Sequence, residues 1–204
     1  MPLDLLLALI GFTFVTSVTP GPNNMMLLAS GVNFGFSRTI PHMLGISVGF
    51  TLMTVLVGLG LGEIFQRVPV LYSALKYAGG AYMLWLAWGI AHSGPVGDGE
   101  ARGQPMTFLQ AAAFQWINPK AWVMAIGAIS TYSQPGNYLV SVLLIAAIFG
   151  AVNLPTVSAW AAFGSAMRRF LRDPGIVRIF NYAMAALLIA SLWPIVAELL
   201  PKSP

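Results

Sequence analysis

Two short stretches of the sequence combine helix-breaking residues with polar side chains inside long apolar runs. The first is Thr19-Pro20-Gly21-Pro22-Asn23-Asn24 and the second is Asn118-Pro119-Lys120. Proline removes a backbone donor and clashes with the preceding turn, so a helix cannot continue regularly through either stretch. The backbone groups freed there, together with the Asn amides and the Lys ammonium, could bind a small polar molecule in an apolar environment.

The composition indicates that lipid surrounds most of the chain. Of the 204 residues, 57% are hydrophobic and 8% are charged, whereas soluble domains carry about a quarter charged residues. The net charge of +4 comes mostly from one cluster, which is typical of a cytoplasmic anchor beside anionic lipid. That cluster is Arg168, Arg169, Arg172 and Arg178. We therefore predict a multi-pass membrane protein with no nucleic-acid partner.

Six segments are long enough to cross a bilayer, which requires about 20 apolar residues each. They cover residues 3–32, 42–64, 70–91, 108–132, 138–163 and 176–200, and the first and fourth contain the two breaks. A polar stretch, residues 93–107, separates a first half of about residues 3–92 from a second half of about residues 108–200. We predict an all-α fold with one transmembrane domain over residues 1–204.

The two halves of the sequence resemble each other. Each half begins with a broken helix, and residues 76–88 align without gaps with residues 181–193, which pairs Tyr77 with Tyr182 and Trp88 with Trp193. Because each half has three spans, the halves must be inverted relative to each other in the membrane. Inverted repeats with broken helices in matching positions are typical of secondary transporters that bind substrate at the repeat interface near the midplane.

Lys120 is the one charged residue at either break. It lies about twelve residues inside the fourth segment, which at about 1.5 Å per residue is near the bilayer midplane. A charge there costs roughly 2.5 kcal/mol or more unless it is paired or reaches water. We predict that Lys120 binds a substrate carboxylate; the alternative is that its side chain extends to the membrane interface.

The other candidate site residues shape the breaks or supply neutral polar groups. Prolines and glycine would open the backbone, and the asparagine amides would hold polar groups of the substrate. An asparagine of the fifth segment would line the same cavity, although hydrogen bonding between helices is an equal alternative. The complete candidate set is Pro20, Gly21, Pro22, Asn23, Asn24, Asn118, Pro119, Lys120 and Asn153.

The sequence offers little for catalysis, metal binding or proton transfer. Its six acidic residues all lie at predicted segment ends or in loops, and it has no cysteine. The two histidines, His42 and His92, lie at the ends of different segments, and we predict that His42 is solvated at the interface. We therefore expect no catalytic residues, no metal site and no cofactor, and the chain is not expected to be an enzyme.

At these motifs the sequence resembles the LysE/RhtB family of amino-acid exporters. The resemblance covers nearly the whole chain and includes Gly35-Phe36-Ser37-Arg38 and residues 79–86 besides the two breaks. It implies a six-helix inner-membrane carrier that exports amino acids, with most likeness to the cysteine/O-acetylserine and neutral amino-acid branch. In many family members the fifth helix carries an acidic residue where this chain has Asn153, so a carboxylate relay through that helix is in doubt.

We expect a secondary transporter that exports small, neutral amino acids or their derivatives by alternating access of one repeat against the other. Its expected partners are the amino-acid substrate and the lipid bilayer, while proton coupling and a homodimer stay open. Two alternatives remain: a structural or accessory membrane subunit without a site of its own, and a channel.

The positive charges predict the orientation in the membrane. The loops after the first, third and fifth spans carry Arg38, Arg102 and the arginine cluster, whereas the opposite side carries Arg67 and Lys202. Cytoplasmic loops carry the excess of positive charge, so both termini should face outward. A periplasmic reporter fused after Pro204 should be active; activity of a cytoplasmic reporter there instead would contradict the orientation or the number of spans.

Overall fold

The computed structural model describes residues 1–61, 67–93, 104–168, 170–171 and 173–193, and these residues form helices and no strands. The all-α prediction is therefore confirmed for this part of the chain, while residues 62–64 and 194–200 of the predicted segments lie outside it. The helices are α1 (Leu3–Val18), α2 (Pro22–Phe34), α3 (Phe36–Leu56), α4 (Pro69–Ala91), α5 (Phe108–Phe114), α6 (Pro119–Tyr132), α7 (Tyr138–Arg168) and α8 (Pro174–Ala190).

Local sequence signals explain where these helices begin. Helices α2, α4, α6 and α8 each start with a proline, whose fixed backbone angle suits the first helical position. Thr107 and Gln110 form a capping box at the start of α5, and Asp173 accepts hydrogen bonds from two backbone amides of α8. Gly35, at φ 81°, lets α3 begin directly after α2 ends, a conformation that few other residues adopt.

Several helices are long and apolar enough to cross a membrane. Residues Phe36–Leu61 and Pro135–Arg168 qualify as continuous spans, each with a mean hydropathy of 2.1. Helices α1 and α2 qualify together as one span that is bent by 53°. The helical, apolar chain is thus a membrane protein, with two continuous spans and a third bent one in the described residues.

Both helix breaks lie where the sequence predicts them. The first separates α1 from α2 at residues 19–21, and the second follows α5 as a 3₁₀ turn over Gln115–Ile117 before Asn118 caps α6. Each break leaves the ends of two short helices next to each other, so backbone amides and carbonyls are available at both places.

Helix α7 lies at the centre of the bundle. It packs against α1, α2 and α3, while α3 also packs against α5, and α4 packs against α8. Two crossings depend on small residues: Gly31 of α2 meets α7 at Gly164, and Gly45 and Gly49 of α3 meet α5. Such close approach supports association of helices in lipid, where the hydrophobic effect does not drive it.

The prediction for His42 is wrong. Helix α3 begins at Phe36, six residues before the predicted start, so His42 lies in its second turn rather than at the interface. Its side chain is only 1% exposed.

The α2–α7 crossing should not tolerate a side chain at its glycines. A Cβ at Gly164 would collide with the Leu28 backbone, so Gly164→Leu should destabilise the protein by about 1–3 kcal/mol or abolish folding. Thermal unfolding and the yield of monodisperse protein measure this. Gly11→Leu is the matched control, because a Cβ at Gly11 meets no atom within 4 Å. Equal stability of the two variants would contradict this packing.

Candidate functional site

The Lys120 side chain joins the two helix breaks. Its ammonium donates to the Thr19 carbonyl at 2.7 Å, to Thr19 Oγ1 at 2.9 Å and to the Pro20 carbonyl at 3.4 Å. These oxygens lie at the carboxyl end of α1, where the helix dipole is negative and stabilises a cation. Lys120 therefore engages the first break with its charge while its own backbone begins α6.

Gly21 gives the Lys120 side chain room to cross. A Cβ at Gly21 would lie 2.7 Å from Lys120 Cδ and 3.1 Å from Nζ. The backbone of Gly21 is extended, at φ −173°, and any residue can adopt that conformation. The requirement at this position is thus for space, because any side chain would displace the lysine.

Asn24 closes the end of α1. It is 4% exposed, and its Nδ2 donates to the Ser17 carbonyl at 2.8 Å and to the Thr19 carbonyl at 2.9 Å. Buried carbonyls at a helix end need such partners. The Thr19 carbonyl thus accepts hydrogen bonds from both Asn24 and Lys120 and is the oxygen at which the two breaks meet.

Asn23 pairs with a residue that the sequence analysis missed. Asn23 Nδ2 donates to Gln115 Oε1 at 2.8 Å, and Gln115 Nε2 donates back to Asn23 Oδ1 at 3.2 Å. Gln115 is fully buried and also donates to the Ala111 carbonyl. The sequence signal that could have identified Gln115 is its amide side chain inside an apolar segment, one turn before Asn118.

Asn118 and Asn153 complete the polar lining. Asn118 Oδ1 accepts from the Lys120 backbone amide at 3.1 Å, which caps α6. Asn153 lies on α7 and reaches Ser17 Oγ only at 3.5 Å. Its Oδ1 is buried without a hydrogen-bond partner among the described residues. Because buried polar atoms are nearly always hydrogen-bonded, this oxygen is available to a ligand.

These groups surround one small cavity of about 30 Å³, close to the volume that one water molecule takes up in the liquid. Apolar side chains, among them Phe50 and Met124, line the rest of it. Pro20, Pro22 and Pro119 shape the backbone without lining the cavity. The candidate residues that line it are Gly21, Asn23, Asn24, Asn118, Lys120 and Asn153.

The charge at this cavity is positive. Lys120 is the charged residue among the described residues that line it, and the polar remainder consists of amides, hydroxyls and the carboxyl end of α1. The arrangement can therefore bind a group with one negative charge at the lysine and a donor group at the carbonyls. In this closed conformation the cavity is too small to contain an amino acid.

Known proteins resemble this chain over most of its length. The sequence model of LysE type translocators matches residues 14–191. The cysteine/O-acetylserine efflux protein of Klebsiella pneumoniae is 34% identical over 202 residues, 95% of this chain and 98% of that protein. The proteins of that name from Salmonella typhimurium and Escherichia coli K12 are 34% and 33% identical over 183 residues, 87% of this chain and 90% of each relative. No solved structure matches the chain.

The Asn23–Gln115 pair should show strong coupling in stability. Asn23→Leu or Gln115→Leu alone leaves the other amide unpaired, which costs about 1–3 kcal/mol. The double variant should cost less than the sum of the single variants by about 1 kcal/mol, since it leaves neither amide without its partner. Thermal or denaturant unfolding of all four proteins measures the coupling, and additive effects would show that the pair does not form.

Proposed function

Because this chain belongs to the LysE type translocator family, we propose that it is a secondary transporter that exports small, neutral amino acids or their derivatives across the bacterial inner membrane. The observation that carries the proposal is the Lys120 ammonium on the carboxyl end of α1, which makes one site out of two helix breaks. A zwitterion needs donors for its carboxylate and acceptors for its ammonium, and this site offers both.

The substrate carboxylate binds Lys120. In the closed conformation the ammonium is held by neutral carbonyl and hydroxyl oxygens. A carboxylate forms shorter and stronger charge-assisted hydrogen bonds than these oxygens do, so it can replace them. The first turn of α2 has no side-chain cap, and its backbone amides add donors beside the lysine.

The substrate ammonium binds the carbonyl oxygens that become free when the substrate carboxylate replaces them on Lys120. The Thr19 and Ser17 carbonyls lie at the negative end of the α1 dipole, and Asn153 Oδ1 is a further buried acceptor. A cationic side chain on the substrate would find no carboxylate among the described residues that line this cavity. The site therefore favours neutral side chains, in agreement with the cysteine and O-acetylserine for which the relatives are named.

Transport proceeds by alternating access of two inverted three-helix repeats. The first repeat contains α1 to α4 and the second contains α5 to α8, so six spans arise when α1–α2 and α5–α6 each count as one. The packing supports this symmetry, because α1–α2 packs on α7 in the same way that α5–α6 packs on α3. The two remaining pairs of equivalent helices also pack together, α3 with α7 and α4 with α8. Because the cavity is too small for an amino acid, the repeats must move apart to admit a substrate.

The loops after α2, α4 and α7 face the cytoplasm, and both termini face outward. The start of α3 lies at the end of α7, where the Phe36 amide donates to Ser165 Oγ at 3.3 Å. Residues 104–108 lie beside Arg38 at the same end. Two described arginines, Arg38 and Arg168, thus lie at one end of the molecule, as the positive-inside rule expects of a cytoplasmic face.

Removal of the Lys120 charge should abolish most transport. In proteoliposomes loaded with O-acetyl-L-serine, Lys120→Ala should lower exchange at least about tenfold, because a hydrogen bond to a charged group contributes roughly 1.5–3 kcal/mol. Ser130→Ala on the same helix is the matched control, since Ser130 bonds only to carbonyls of its own helix. Exchange by folded Lys120→Ala at the wild-type rate would refute the assignment.

The same assay separates the alternatives. A carrier shows saturable exchange that is stimulated by substrate on the opposite side of the membrane. A channel would give flux that does not saturate and no counterflow. An accessory subunit, purified alone, would transport nothing while remaining folded.

A further inference from the structure

A second and larger cavity lies at the end of the molecule that carries the loops after α2 and α4. Its volume is about 310 Å³, which is within the lower range of small-molecule sites, about 300–1,000 Å³. Helix α2 forms one wall and α4 the facing wall, while α3 and residues 104–107 complete it. This cavity is large enough for an amino acid, whereas the cavity at the breaks is not.

The described lining of this cavity is polar and aromatic. Among the described residues that border it there is no aspartate, glutamate, lysine or arginine. Its polar groups include Ser30, His42, Tyr82 and Gln110, and its apolar surface includes Met26 and Trp85. A ligand with a charged side chain would lose hydration there without gaining a counter-charge, which is costly.

His42 is a buried polar group of this cavity that has no hydrogen-bond partner among the described residues. The side chain is 1% exposed, and neither ring nitrogen has a hydrogen bond within the described part of the chain. Two of its polar neighbours in the lining are satisfied: Asn33 exchanges hydrogen bonds with Asn181 of α8, and Ser30 bonds to Thr39. Because an unpaired buried donor or acceptor is costly, His42 is the group that a ligand would complete.

The two cavities lie next to each other along α2. Met26 borders the larger cavity one helical turn after Asn23, which borders the smaller one; three residues correspond to about 4.5 Å along the axis. Met26 and Phe114 belong to one buried apolar cluster and are 4% and 1% exposed. Phe114 directly precedes Gln115, the partner of Asn23. A movement of these two apolar side chains would connect the cavities.

We propose that the larger cavity is a second amino-acid site, which binds substrates with neutral side chains before they reach the helix breaks, and that His42 contacts the substrate there. A neutral imidazole offers one donor and one acceptor, so His42 can bind a carboxylate oxygen or an ammonium proton. The described lining residues offer no counter-charge to a cationic side chain. This inference rests on the proposed export function and adds a place where the protein selects substrates by their side chains.

Replacement of His42 tests the contact. In proteoliposomes, His42→Leu should raise the concentration of O-acetyl-L-serine for half-maximal exchange about tenfold, the effect of one lost hydrogen bond to a charged group. The maximal rate should stay within about twofold, since the contact precedes the step at the breaks. His42→Gln keeps a donor and an acceptor and should restore most of the affinity. L-lysine should not compete with exchange by the wild type.

A bulky residue in the cavity gives an independent test that does not alter the buried histidine. Gly89 of α4 borders the cavity, and a Cβ there meets no atom within 4 Å, so Gly89→Phe should fold and block the site. Exchange should fall at least about tenfold. Gly11→Phe on α1, where a Cβ also meets no atom within 4 Å, is the matched control and should exchange like the wild type.

The outcomes separate this inference from the proposed function. If the wild type exchanges O-acetyl-L-serine while His42→Leu and Gly89→Phe both do so with unchanged half-saturation, the second site is refuted and the export function stands. If the wild type exchanges no amino acid, the export function fails and this inference with it. If His42→Leu does not fold, the exchange rate of Gly89→Phe alone decides whether the second site exists.

Discussion

The architecture depends on one interaction, the ammonium of Lys120 on the carbonyl oxygens at the end of α1. In a bilayer both partners are costly by themselves, because a charge needs a counter-group and a broken helix leaves carbonyls without donors. Here the Lys120 ammonium and the Thr19 carbonyl satisfy each other, although the two residues are 101 positions apart in the sequence. Gly21 provides the space and Asn24 supplies the second donor to Thr19. Two helix breaks that would each be unfavourable alone thereby become one stable polar site.

In the proposed transport cycle, the substrate would replace that interaction. The oxygens that hold Lys120 are neutral, so an incoming carboxylate competes with them on favourable terms. The Asn23–Gln115 pair likewise joins the two breaks through groups that can exchange partners. The helices around them are rigid and packed through glycines, with α7 at the centre. In our account, transport exchanges polar contacts at the breaks while the helix crossings move as units.

Much of this fold could be predicted from sequence because its signals are local. Prolines in apolar runs predict both breaks, and apolar lengths predict the helices to within a few residues. Gln115 was missed because its partner lies 92 residues away, and a single amide in an apolar segment does not by itself indicate where that partner is. His42 was misplaced because Gly35, with its positive φ, starts α3 earlier than the apolar run indicates. Asn24 was identified, but its role in closing α1 depends on the three-dimensional bend.

The central claim is that the carboxylate of an amino acid replaces the α1 carbonyls on Lys120. Solid-state NMR tests it directly, because the chain has three lysines and their ¹⁵Nζ signals can be assigned by substitution. With ¹³C-carboxyl-labelled O-acetyl-L-serine bound in lipid, we predict dipolar coupling that corresponds to an Nζ–carboxyl carbon distance of about 4 Å or less, absent in Lys120→Arg. Bound substrate without coupling to the Lys120 ammonium would contradict the account.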